Sequence, residues 1–331
     1  MKRLIPGVPF CDCDHYPCGH VALDSMLQFY GYATPLVLHD QWFFLYRRKD
    51  DGGIQIDSRL TPVPQSMLRW GIRLLDHQET EREAAWARVK ARVDSGHPAP
   101  VLADTYYLET YYYPGLGHHS DHSVILAGYD DEAGTVHVVD ASPSKLFRGD
   151  LPLSGLLEAW GSGHIPRYRW LEFRLPESPR ALTPEQAAQA IQQNVRLMFQ
   201  EAAPLPGAFV GLRGLRALAE DIALWMDLAP DQARAQAGRL FDLLRPVVME
   251  REGHSRYLGL VAGQFEGSNL PQVSEQLRVI SQKWLVFRNL CLKGQKKGTG
   301  LTLRKMHGRL LEVLSLEEEA LTRLGDVSAA C

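Results

Sequence analysis

The stretch that most constrains the fold is HSVILAGYDDEAGTVHVVD, residues 122–140. HSVILAGYDD (122–131) is a buried-strand run, and TVHVVDASP (135–143) reads as the next strand. The first is closed by the turn chemistry of Asp130-Asp131-Glu132-Ala133-Gly134. Two strands joined this closely pair antiparallel. The chain is therefore expected to carry a β-hairpin that other elements must cover. His122 and Asp140 are equidistant from a centre near Asp131. In a regular hairpin they would sit side by side at its open end.

The surroundings of this hairpin read as mixed helix and strand. Residues 18–31 (CGHVALDSMLQFYG) place Val21, Ala22, Met26, Leu27, Phe29 and Tyr30 close to one helical stripe, with Gly31 as the stop. Residues 66–76 and 81–94 read as amphipathic helices. HPAPVLADTYY (97–107) leaves a helix through Pro98 and Pro100 and enters a strand, and RYRWLEFRL (167–175) alternates as a strand. The expected fold class is α+β over residues 1–178, an antiparallel sheet packed on helices.

The pattern changes at PESPRALTPEQ (176–186), a Pro-rich connection. Thr183-Pro184-Glu185-Gln186 has a helix-start signature, with Thr as N-cap, Pro first and Gln third. From there to Leu324 the periodicity is helical, interrupted at 204–207, Pro230, Pro246, 267–271 and the Gly-rich 294–300. About six helices are expected in an all-α domain over 179–331, with Trp225, Trp284 and Phe287 in its core. Residues 1–175 hold 17 basic and 22 acidic side chains, whereas 176–331 hold 19 and 17. The second part alone is net positive.

Composition excludes several function classes. Of 331 residues, 45% are hydrophobic and 23% charged, as in an ordinary globular protein rather than a disordered or collagen-like one. No apolar run reaches the roughly 18 residues of a membrane span. The net charge of −3 offers no overall basic surface for nucleic acid. MKRLIPGVPF lacks the apolar stretch of a secretory signal. Five cysteines, an odd number with three of them clustered, argue for a reducing cytoplasm and against a disulfide framework.

One constellation carries chemistry. Cys18 follows Pro17 and opens the first helix, where unpaired N–H groups and the helix dipole favour thiolate, the reactive form. A nucleophilic cysteine needs a base, and His122 opens a strand after the segment Gly117–Asp121. The base needs an orienting group, and Asp140 ends the next strand. Each residue alone has a plain structural reading: an incidental cysteine, a hydrogen-bonded histidine, an aspartate starting a turn. The set in this order is more specific. CDCDHYPCGH offers a competing view, with Cys11, Cys13, His15, Cys18 and His20 as zinc ligands. No distant Cys/His pair completes such a site, so no metal is expected.

Cys18-Gly19, then a helix ending Phe29-Tyr30-Gly31, resembles the papain-like fold in its bacterial double-glycine-peptidase form. So does His122 followed by an apolar strand and Gly128. A closer resemblance is to the butirosin biosynthesis protein H family. It lies in the nucleophile helix, in Asp104–Leu108, in residues 122–140, and in GAFVGLRGLRALAEDIALW (207–225) and REGHSRYL (251–258) of the helical half.

That resemblance implies an acyltransferase in natural-product biosynthesis. An acyl group would pass from the phosphopantetheine thioester of an acyl or peptidyl carrier protein to Cys18, and then to an amine on a small-molecule acceptor. His122 would be acid–base and Asp140 the orienting group, with no bound cofactor. The tyrosine-rich segment with Asp104, Tyr106, Tyr107 and Tyr111 is a candidate substrate cleft, or simply a strand packing aromatics. Lys296 and Lys297 in the Gly-rich loop, with Lys293 before them and Arg304 and Lys305 behind, are candidates for docking an acidic carrier protein, or a solvated connector. Papain-like enzymes often place a Gln before the nucleophile as oxyanion donor. Here Asp12 and Asp14 occupy that stretch, so the second donor is unassigned. Two other functions fit the same residues: a cysteine peptidase or amidase, and a non-catalytic binding module on the same fold.

Overall fold

The computed structural model describes residues 1–11, 16–109, 115, 119–142, 145–178, 180–200 and 207–330. The chain begins with β1 (Lys2–Leu4), α1 (Cys18–Phe29), α2 (Thr34–Leu38), β2 (Leu45–Arg48), β3 (Ile54–Asp57), α3 (Val63–Arg69) and β4 (Arg73–Gln78). It continues with α4 (Arg82–Asp94), β5 (Ala99–Asp104), β6 (Asp121–Asp130), β7 (Thr135–Ser142), β8 (Lys145–Pro152), α5 (Leu153–Trp160) and β9 (Arg169–Arg174). The last part holds α6 (Pro184–Phe199), β10 (Ala208–Val210), α7 (Gly211–Leu224), α8 (Pro230–Leu243), α9 (Arg245–Val261), α10 (Leu270–Lys297) and α11 (Gly300–Ala330).

These elements form two compact units, Met1–Thr34 with Met67–Pro179, and Pro35–Ser66 with Arg180–Cys331. Residues 35–66, expected within a first domain of residues 1–178, instead pack with the helical part. Their strand β2 is the reason. It lies between β3 and β10 in a three-stranded antiparallel sheet, pairing Leu45 with Val210. No local pattern announces a partner so distant in sequence.

The first unit is α+β. Its sheet runs β4-β9-β5-β6-β7-β8, with β1 added beside β6, and every pairing is antiparallel. Val101, Val124, Leu126, Val136, Val138, Trp160 and Trp170 form its core together with Ala85, Val89 and Val93 of α4. Burial of this kind is worth about 1.5–3 kcal/mol per large side chain. α1 ends as its sequence dictates. Gly31 takes φ +80°, Tyr32 N–H donates to Leu27 O at 2.9 Å and Gly31 N–H to Gln28 O at 2.9 Å, a Schellman cap. Residues 66–76 do not form one helix. α3 stops at Arg69 because Gly71 turns left-handed (φ +73°) and Ile72 N–H caps Met67 O. The chain then runs into β4, paired with β9.

Within the second unit, residues 180–330 carry six α-helices, α6 to α11, among the described residues. Thr183 and Gln186 form the expected capping box. Its core includes Trp42, Phe44 and Tyr46 of the inserted segment along with Trp225, Trp284 and Phe287. The Gly-rich 294–300 is not one loop. α10 continues through Lys297 and stops at Gly298, whose φ of +58° ends the helix. Gly294 lies inside α10, where a Cβ would stand 2.9 Å from that of Ala237, so this glycine serves close helix packing rather than a turn.

Candidate active site

Cys18 is the first residue of α1, after Pro17 in extended conformation (φ −61°, ψ 146°). Pro17 O accepts from His20 N–H and Val21 N–H at 2.9 and 3.0 Å. The earlier amides of this turn have no intrahelical acceptor, so the sulfur stands in the positive field of the helix start. The side chain is part-buried and unbridged.

His122 is buried on β6 and Asp140 fully buried on β7. His122 Nε2 donates to Asp140 Oδ1 at 2.8 Å. The imidazole also hydrogen-bonds the Cys18 thiol, and with Nε2 engaged by Asp140 that contact falls to Nδ1. Burial alone would raise the Cys18 pKa. The hydrogen bond and charge of His122, with the backbone N–H groups of Ser123 and Gly19 aimed at the sulfur, outweigh it and lower the thiol below its ordinary value. Burial would likewise lower His122, but its bonds to Asp140 and Cys18 hold the imidazole well above the usual histidine range. The two shifts describe a thiolate–imidazolium pair.

The hairpin register brings these residues together differently from the symmetric expectation. Gly128 pairs with His137, but Leu126 pairs with Val138 and Ile125 with Val139, an irregularity at Ala127. The paired register ends at Ile125 and Val139; continued by one residue it would set Asp140 against Val124. His122 is therefore the diagonal neighbour of Asp140, and an imidazole is long enough to close that diagonal.

The expected substrate residues have other surroundings. Asp104 ends β5, fully buried. Its carboxylate accepts from Ser162 Oγ at 2.6 Å, His119 Nδ1 at 2.8 Å and Tyr106 N–H at 3.0 Å. Burial would raise this carboxyl, but those donors hold it below the usual carboxylate range. Asp104 is thus an anchor for the segment that follows it, not an exposed ligand contact. Tyr106 and Tyr107 lie on a turn after β5 rather than on a strand. Tyr106 stacks on His119 at 4.4 Å, and His119 stacks on His164 at 3.8 Å. Tyr107 lines a small apolar recess with Leu108, Leu151 and Leu156. Tyr111 lies outside the described residues, as do Cys13 and His15 of the zinc alternative. No local sequence signal announces the His119–Asp104–Ser162 group. The register pairing Asp104 with Asp121 is what draws His119 to it.

Lys296 and Lys297 occupy the last turn of α10, and Arg304 and Lys305 the first turns of α11, all four exposed. No helix is long and apolar enough to cross a membrane among the described residues.

Comparison with known families meets this geometry from the other side. Residues 17–141 match the family described as butirosin biosynthesis protein H, N-terminal, a span that begins beside Cys18 and ends just past Asp140. Residues 164–324 match a domain of unknown function, DUF4872. No curated protein matches the chain. With the papain-like α+β arrangement of the first unit and the helical second unit, these two matches account for most of the sequence, and the chain belongs to the butirosin biosynthesis protein H family.

Proposed function

We propose that the protein is a cysteine-dependent N-acyltransferase that takes an acyl group from a carrier-protein thioester and delivers it to an amine in natural-product biosynthesis. One observation carries this reading: a thiol at a helix start hydrogen-bonded to a buried histidine, itself held at 2.8 Å by a buried carboxylate.

The Cys18 thiolate attacks the thioester carbonyl. The tetrahedral oxyanion faces the helix start, where the Cys18 N–H is the natural first donor. Collapse breaks the bond to phosphopantetheine, and the leaving thiolate takes the proton of the His122 imidazolium. Acyl-Cys18 and neutral His122 remain. The incoming amine attacks this acyl group while His122 takes its proton, and expulsion of the Cys18 thiolate releases the amide and restores the ion pair. Asp140 accepts from Nε2 throughout and so holds the ring and stabilises its charge. Exchange between two thioesters is nearly thermoneutral, and aminolysis drives the sequence forward.

The family's name supports an assembly reaction over peptide cleavage. The test is to supply an acylated carrier protein with a panel of amines and follow products by mass spectrometry. Amide formation that depends on the amine supports transfer. Release of free acid at the same rate with or without amine assigns the protein as a hydrolase instead.

A further inference from the structure

Residues 276–311 contain nine Lys and Arg and not one Asp or Glu, in a chain whose overall charge is −3. The structure folds this stretch into most of α10 and the beginning of α11. Some of its cations are internally engaged. Arg278 pairs with Glu275, and Lys283 and Arg309 both pair with Glu312. Arg288 donates to Phe241 O and lies over the Phe241 ring. Lys293, Lys296, Lys297, Arg304 and Lys305 are exposed, and no ion pair involves any of them among the described residues. Pro230 O and Arg234 lie beside Gly298, and Asp231 at that helix start is bonded to Arg234.

Helical spacing sorts these five into a patch. Lys293 and Lys297 are one turn apart on α10, with Lys296 beside them. On α11, Leu301 has Arg304 and Lys305 at the following three- and four-residue positions. Leu301 is 61% exposed, the large apolar side chain that this end of the helical pair presents to solvent. The turn between the helices is short and defined by Gly298, so the two sets of cations lie on either side of one tight corner.

We propose that this α10–α11 corner is a docking surface for an acidic helical protein, its cations meeting carboxylates and Leu301 giving the apolar contact. Resting on the reading above, that protein is the carrier that bears the thioester. A bilayer is the weaker fit, because interfacial binding needs a broad apolar face and here one leucine stands alone. Nucleic acid is also the weaker fit, since the patch has no aromatic side chain for base stacking. Contacts of this kind act largely on encounter and are screened within ~8 Å at physiological salt.

The test is binding rather than turnover, so that it stands apart from the chemistry of Cys18. Full-length protein would be titrated with an acyl carrier protein bearing unacylated phosphopantetheine, by calorimetry at 50 and 500 mM salt. The Lys296→Glu/Lys297→Glu and Arg304→Glu/Lys305→Glu variants are expected to bind at least tenfold more weakly at low salt, with the difference shrinking at high salt. A Lys49→Glu/Arg73→Glu control, of equal charge change elsewhere, should bind as the parent does, and circular dichroism should report parental folding in all. Equal binding by parent and corner variants, or no binding by the parent, overturns the proposal. So does preferential binding of the parent to anionic vesicles or RNA. Corner-dependent binding without acyl transfer would leave the docking surface standing and remove the acyltransferase reading.

Discussion

His122 and Asp140 share a 2.8 Å hydrogen bond although the hairpin that carries them does not set them opposite each other. The irregularity at Ala127 shifts the register so that Val139 faces Ile125, and from there the bond between His122 and Asp140 runs along a diagonal. The imidazole is thereby aimed with its other nitrogen toward Cys18. In the proposed mechanism this places Asp140 as an orienting group rather than a proton carrier. His122→Ala is expected to lower kcat/KM for acyl transfer by about a thousandfold or more, and Asp140→Asn by less, in steady-state assays. A larger loss on replacing His119 than His122 would move the catalytic role to the wrong side of this diagonal.

Reactivity of the thiol should follow the ion pair. Because Cys18 is lowered and His122 raised, the thiolate persists below the pH at which an ordinary thiol ionises. Alkylation of Cys18 by iodoacetamide should therefore stay fast at neutral pH and fall only on further acidification. In His122→Ala the rate should instead climb toward the alkaline range of a free thiol. Peptide mapping would show which cysteine is labelled, and a profile that the His122 variant leaves unmoved would contradict the pairing.

A buried ionic cluster should dominate stability of the second unit. Glu317, fully buried, accepts from Arg251 Nε at 2.8 Å and from Trp42 Nε1 and Trp284 Nε1 at 3.2 and 2.6 Å. Glu317→Ala would strand the buried Arg251 charge and is expected to cost about 3–5 kcal/mol by denaturant unfolding. Glu317→Gln, which keeps an acceptor, should cost less.

A second stability test uses pH. His254 is fully buried; burial outweighs the backbone bond to His39 O and depresses its pKa to about 4. The unfolded chain takes up this proton near 6.5, so the contribution is whole above that value. It is lost as pH falls from 6.5 toward 4, by up to about 3 kcal/mol. His254→Asn, which retains a donor toward His39 O, should unfold with a shallower pH dependence in this window.

The inserted segment predicts how the chain can be cut. A fragment of residues 180–331 lacks β2, Trp42 and the Phe43 carbonyl to which Arg251 donates at 3.0 Å. It is expected to show no cooperative unfolding transition by circular dichroism, despite containing the whole of α6 to α11.

Much of the candidate site was legible because its signals are local. Pro17-Cys18 opening a helix, Gly31 closing it, and a hairpin with His and Asp near its open end are readable from spacing alone. The same holds for the Thr183–Gln186 capping box. What stayed hidden depends on distant partners. The bulge at Ala127 has no residue signature, and the placement of 35–66 rests on a pairing of β2 with β10 far along the chain. Gly294 read as a loop breaker, whereas Ala237 packing against it requires the missing side chain. Asp104 read as a ligand contact because it is polar and borders tyrosines, yet Ser162 and His119 occupy its carboxylate.

The central claim is that the acyl group rests on Cys18. Intact-protein mass spectrometry after mixing with an acylated carrier protein, quenched in acid without amine, measures this directly. A mass increase equal to the acyl group, mapped to Cys18, absent in Cys18→Ala and discharged on adding the amine acceptor, is the predicted result. Amide formation by a folded Cys18→Ala variant, or an acyl adduct on any other residue, would contradict it.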